Sequence, residues 1–177
     1  MIANSFRRYT FAALLALVAA FSVLTPQQAQ AQAFSDYAEN KITDALLRAQ
    51  SLGAPATWYI ALYTTSCTDS AGGTEVANAN NYARASFTPS LANWSGTQAA
   101  ASTTASSGTG GVSSNNGTIS FNVPSGSWGT VTHFGLVDSA THGAGNLWVC
   151  IDLSPDQTIG SGNTVSFAAG AFTVTVQ

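Results

Sequence analysis

The stretch SDYAENKITDALLRAQSLGAPATWYIALY, Ser35 to Tyr63, contains the change of period that decides the fold. In its first half Ala38, Ile42, Ala45, Leu46 and Ala49 fall at i, i+4, i+7, i+8 and i+11, which predicts an amphipathic helix over 36–51. Ser35 can cap that helix, Asp36 and Glu39 sit in its first turn and Arg48 sits near its end, all favourable against the helix dipole. Gly53 suits the residue just past the last turn, and Pro55 prevents continuation. After Pro55 the period drops to two. Trp58, Ile60 and Leu62 alternate with Tyr59, Ala61 and Tyr63, the pattern of a strand rich in aromatics.

Further strands are predicted around 82–88, 118–123, 130–138, 147–153, 164–168 and 171–176. Turn chemistry separates them at Asn116-Gly117, Ser125-Gly126, His142-Gly143-Ala144-Gly145 and Gly160-Ser161-Gly162. About seven short strands with no helical pattern between them specify a mainly β chain. The expected architecture is a jelly-roll-like antiparallel β-sandwich with one N-terminal amphipathic helix. Residues 95–117 are low in complexity and uncharged, with one branched aliphatic residue, and are expected to form a loop. Residues 66–81, which carry Cys67, make a second long loop.

The N-terminus has a different character. Arg7 and Arg8 precede an unbroken apolar run from Phe11 to Leu24; Pro26 ends it, and small-x-small sites follow at Ala29–Ala31 and Ala31–Ala33. That order is the signature of a secretory signal peptide over residues 1–33, cut after Ala31 or Ala33, with Ala33 slightly ahead. Fourteen helical residues reach roughly 21 Å, short of a hydrocarbon core of about 30 Å, so a membrane anchor is the weaker reading. A single domain over 34–177, exported and without a membrane span, is the consequence.

Lys, Arg, Asp and Glu make up only 7% of the 177 residues, against about 25% in an ordinary soluble domain. Beyond residue 33 only Lys41, Arg48 and Arg84 are cationic, against all eight acids. Three cations cannot form the basic face that nucleic acid requires. The two cysteines, Cys67 and Cys150, both lie in the exported part, where an even count favours a disulfide.

No GxSxG, HExxH, CxxC or phosphate-loop motif is present, and no catalytic residue, cofactor or metal site is predicted. His133, His142, Asp138 and Asp152 are the only residues that spacing would suggest for a metal, and spacing alone does not make them converge. Aromatics are the better lead. Tyr59, Tyr63, Trp94 and Trp148 could form a glycan-binding surface or a contact between subunits, since ring faces offer apolar area beside Asn, Ser and Thr.

The segments AFSDYAENKITDALL, APATWYIALYTT, EVANANNYARASF, GSWGTVTHFGLVDSAT and LWVCIDLSPDQTIGSGNTVSFAAGAFTVTV together resemble a family of small tailed-phage virion proteins, labelled tail fibre or minor tail proteins. SWGTVTHFGLVDSA and SFAAGAFTVTV are the most specific parts. The resemblance implies a non-enzymatic β-sandwich assembling with copies of itself on a particle surface. The signal segment and the cysteine pair lie outside that family pattern and imply a fold redirected to the cell surface or beyond. A secreted carbohydrate-binding module is the alternative. Alkylation of the unreduced protein followed by intact-mass measurement is expected to find no free thiol; two alkylated cysteines would disprove the bridge.

Overall fold

The computed structural model describes residues 33–98, 102–108 and 110–176. The apolar N-terminal run and Ala31 lie outside the described residues. The described chain is mainly β: β1 (Ala33–Phe34), α1 (Asp36–Leu47), β2 (Trp58–Tyr63), β3 (Ala85–Phe87), β4 (Trp94–Ser95), β5 (Gly111–Asn115), β6 (Ile119–Ser120), β7 (Gly129–Val137), β8 (Leu147–Ile159), β9 (Ser166–Phe167) and β10 (Thr173–Val176). A five-stranded sheet runs β1-β8-β7-β2-β3, and all its pairings are antiparallel. The second layer consists of the sheet β10-β5-β4 and the pair β6-β9.

The core lies between the layers. Ile60, Leu62, Val131, Phe134, Val149 and Ile151 from the large sheet meet Ile119, Phe121 and Phe172 from the opposing strands. Phe172 is fully buried, its ring edge-on to Phe134 at 5.3 Å and to Trp94 at 5.3 Å. A smaller apolar cluster covers the outer face of the large sheet. There Ala61, Tyr63, Val137 and Leu147 pack with Tyr59, Cys67 and Cys150.

Two irregularities in β7-β8 decide where side chains point. Leu136 pairs with Val149 and Val137 with Leu147, so Trp148 is an extra residue on its strand. A bulge of this kind breaks the period of two, and Trp148 joins Val149 and Ile151 in the main core. The second lies between Val131–Gln157 and His133–Asp152. Leu153 to Asp156 oppose a single residue of β7, so Pro155 sits in an excursion where no ladder N–H is required of it.

Helix α1 starts as expected. The Ser35 hydroxyl accepts from the Ala38 amide at 3.3 Å and donates to the Leu147 carbonyl, while the Ser35 amide donates to Trp148 O at 3.0 Å. Tyr37 then meets Trp148 edge-on at 5.4 Å, and Trp148 meets Trp58 the same way at 5.1 Å. The helix ends sooner than its periodicity suggests, at Leu47 rather than at residue 51. Arg48 is the cap, and Ala49 takes the left-handed conformation (φ 54°) that the sequence reading assigned to Gly53. Only Ala38 of the predicted apolar face is buried; Leu46 and Leu47 are 77% and 80% exposed.

The loop expected over 95–117 is corrected at both ends. Ser95 belongs to β4, and β5 forms the middle strand of its sheet, pairing with β10 and β4. Its Ser-Ser-Asn sequence hid it, because this strand is held by backbone pairing and hydroxyls: Ser95 and Ser114 hydroxyls lie 2.8 Å apart, and Ser113 donates to Ser95 O at 2.7 Å. Among the described residues the strands number ten, against about seven expected. Since a left-handed alanine carries a steric cost that glycine avoids, Ala49→Gly is expected to raise unfolding stability by about 0.5–1 kcal/mol in urea titrations. A loss of stability would contradict the assigned helix end.

Candidate functional site

The most organised polar cluster in the molecule is built on Glu75 and Arg84. Arg84 stands just before β3, and Glu75 lies in the loop after β2, tied to it by a bridge to Tyr63. Their side chains are 6% and 4% exposed and bind through two parallel contacts, Arg84 Nε to Glu75 Oε1 and NH2 to Oε2, both 2.8 Å. Burying such a pair is tolerable only when the remaining donors and acceptors are satisfied. They are: Arg84 NH1 donates to the carbonyls of Ser139 (2.6 Å) and Ala144 (2.9 Å), and Glu75 accepts from the Gly143 amide (2.8 Å) and the Tyr82 hydroxyl (3.0 Å). Tyr82 in turn accepts from the Leu62 amide at 3.0 Å.

These contacts shape the titration of the group. Burial alone would raise the Glu75 carboxyl, but the Arg84 hydrogen bonds, the Gly143 amide and the Arg84 charge outweigh it and hold it below the usual carboxylate range. Burial, reinforced by the Glu75 charge, pushes the Tyr63 phenol up to about 12. Tyr82 is raised as well, chiefly by burial, against the Leu62 amide. Tyr63 lies so close to Gly72 and Gly135 that a Cβ at either would come within 2.6–2.7 Å of it. Together these parts form one wall of an open cleft of about 530 Å³, lined also by Tyr37, Gly73, His142 and Asn146.

Chemically, the cluster is a clamp. Both charges are committed to internal partners, and His142 Nε2 donates to the Val76 carbonyl at 2.9 Å while lying 3.9 Å from Glu75. The clamp fastens the 72–75 loop and strand β3 to the turn 139–145. Asp138 stabilises that same turn: burial would raise its carboxyl, but the Asn146 side chain and amide, with Trp148 Nε1, hold it below the usual range.

The residues singled out from sequence are dispersed over the fold. Cys67 and Cys150 are joined in a disulfide that pins the start of the 66–75 loop to β8. Ala33 pairs with Cys150 in β1. Tyr63 and Trp148 are buried at 4% and 5% exposure, so neither presents its ring as the glycan-binding or subunit-contact surface expected from sequence. Trp148 was misplaced by its bulge, and Tyr63 by the loop that covers it. Tyr59 and Trp94 are half-buried, Trp94 against Phe87 at 4.8 Å. His133 Nε2 reaches Asp152 at 3.5 Å, whereas His142 and Asp138 belong to the clamp and its turn. Among the described residues no three His, Cys, Asp or Glu side chains gather as a metal site would require. Sequence reasoning missed Glu75, Tyr82 and Arg84. A single cation inside a predicted strand was the available signal, because a charge there needs a buried partner.

The domain is a two-layer antiparallel β-fold whose interior charges tie its loops together. Across residues 33–175 it matches the family model described as Podophage GP4 fiber I protein gp80. The chain belongs to that family of phage fibre proteins, which makes it a tail-fibre-like structural protein of the virion. A search of curated proteins finds no match.

Removing one member of the clamp leaves the other charge buried alone. Arg84→Met is expected to cost about 3–5 kcal/mol in urea unfolding at pH 7, and Glu75→Gln with Arg84→Met together to recover part of it. Because Glu75 is held low in the folded state, its stabilisation is in place above its unfolded value of about 4.3 and disappears as pH falls through the lowered native value. In the Arg84→Met protein burial acts on that carboxyl without the arginine to oppose it, so the cost of the substitution should shrink on acidification as Glu75 takes up a proton. Identical acid profiles for the two proteins would refute the clamp.

Proposed function

We propose that this chain is a non-enzymatic fibre subunit that is exported and assembles with copies of itself at or outside the cell surface. The observation that carries this is the junction at Ala33. The family match begins there, immediately after a basic, apolar segment with the features of a signal peptide. The domain that follows also contains a disulfide, which is at home in an oxidising compartment. Within this reading, β1 favours Ala31 as the cleavage site. A cut there leaves Gln32 as the first residue and keeps Ala33 in its pairing with Cys150, whereas a cut after Ala33 removes one of the two β1 residues and puts a charged amine on the other.

Self-assembly is supported by the distribution of apolar surface. Leu46 and Leu47 on α1 are the most exposed of the large apolar side chains among the described residues, at 77% and 80%. With few charges on the surface, subunits can pack side by side with little desolvation cost. Expression of the full gene in a bacterium, followed by fractionation and N-terminal mass determination, tests the export reading. The expected product begins at Gln32, lies outside the inner membrane and elutes as a multimer. A chain that retains Met1 and stays in the cytosol would overturn export, and a strictly monomeric product at high concentration would overturn assembly.

A further inference from the structure

Between the clamp and the start of α1, one short segment depends on a covalent bond for its place. Ser66 and Thr68 to Ala71 are exposed, and of residues 66–71 only Cys67 packs against an apolar cluster. The turn is closed on itself, Thr68 N to Ala71 O at 2.9 Å and Ala71 N to Thr68 Oγ1 at 3.1 Å. Among the described residues, one hydrogen bond joins it to another part of the chain, from the Asp36 amide to Asp69 O at 2.7 Å. The other tie is the disulfide from Cys67 to Cys150, a β8 residue paired with Ala33 on one side and Gly135 on the other.

The bond can be reached from solvent. Both cysteines are half-buried, and they line a surface pocket of about 170 Å³ together with Ser35, Thr68, Asp69 and Asp152. Two neighbours depend on the segment. Ser70 and Ala71 form a lip of the 530 Å³ cleft. The Asp36 amide belongs to the first turn of α1, where N–H groups have no partner within the helix. Beyond Ala71 the chain is secured independently. Thr74 O accepts from the Thr64 amide, the Thr74 amide donates to Thr65 Oγ1, both at 2.8 Å, and Glu75 enters the clamp. These contacts set the limit to which loosening of the segment can spread.

We propose that the Cys67–Cys150 bond is a reducible latch on residues 66–71, closed in the exported protein and opened by a dithiol reductant. A thiolate of the dithiol attacks one of the two sulfurs, breaking the S–S bond and forming a mixed disulfide. The second thiol of the reductant then displaces the protein sulfur. The dithiol leaves as a disulfide, and its two protons end on Cys67 and Cys150. With the latch open, residues 66–71 and the Asp36 amide lose their fixed positions, and the Ser70–Ala71 lip of the cleft goes with them. The sandwich and the clamp stay. Closure of the latch only outside the cytosol rests on the export reading; its mechanics do not.

The test uses the full chain, as purified or after air oxidation, treated with dithiothreitol in the absence of denaturant. Intact mass after alkylation counts the thiols, far-UV circular dichroism reports the fold, and amide hydrogen exchange reports each segment. Both cysteines are expected to react with the spectrum unchanged. Exchange at Asp36 and residues 66–71 should quicken by at least about tenfold, with β2 and β7 unaffected. Cys67→Ser with Cys150→Ser should show the same fast exchange without reductant, and slow exchange there would overturn the latch. So would cysteines that react only in denaturant, exchange unaltered by reduction, or loss of the whole fold; these decide the matter even where the double variant fails to fold. A chain kept in the cytosol with reduced cysteines overturns export alone, since the oxidised protein still reads the latch. Cysteines that air oxidation does not join overturn the latch itself.

Discussion

The bidentate pair between Arg84 and Glu75 joins segments of this molecule that lie far apart in the chain. The domain has only three cations, and one of them is spent in a largely buried ion pair. From that point the two side chains touch β2 through Tyr82, the loop before Val76, and the turn between β7 and β8 through three main-chain groups. The loop before Val76 and the 139–145 turn are rich in Gly, Ser and Thr and have little apolar surface of their own to hold a position. A buried ion pair is weak evidence for stability when set against a hydrophobic replacement, but here the fixed fork of the guanidinium imposes geometry on polar loops that packing could not order.

The cover over the outer face of the large sheet follows from that clamp. Once the 72–75 loop is held, Tyr63 lies between Gly72 and Gly135, where any side chain on either glycine would displace its ring. Cys67 and Cys150 tie the beginning of the same loop to β8, and the Asp36 amide donates to Asp69 O at 2.7 Å. Helix start, loop and sheet are therefore joined within a few residues of one another. The exposed end of α1 projects from a base that is held from three directions.

Most of the fold was legible because its elements obey simple periods. The helix start at Ser35 and the alternation over Trp58–Tyr63 needed only spacing and capping chemistry, and both are where those rules put them. Legibility failed where a local irregularity or a polar sequence replaced the period. Trp148 turns inward because one extra residue enters its strand, and nothing in LWVCIDL marks the bulge. Strand β5 is built from GVSSN, a composition that suggests a loop until its partners on both sides are known. The clamp was hidden for a different reason: Glu75 and Arg84 are nine residues apart, and their shared turn lies some 60 residues further on. Chain order carries little trace of such a three-way meeting, beyond the oddity of an arginine within a predicted strand.

The β4-β5 hairpin has a further consequence. Its base is fixed by the Trp94–Asn115 and Ser95–Ser114 pairings, and just beyond it the arms are held by hydroxyls, Ser107 N to Thr97 Oγ1 at 2.7 Å and Gln98 Nε2 to Ser107 Oγ at 2.9 Å. Among the described residues, none further out belongs to either apolar cluster. The free energy of closing a loop grows only slowly with its length, so chain added between Gln98 and Ser106 would hardly be felt at the sheet. The hairpin is thus a place where chain length can vary while the sandwich beneath it is left unaltered.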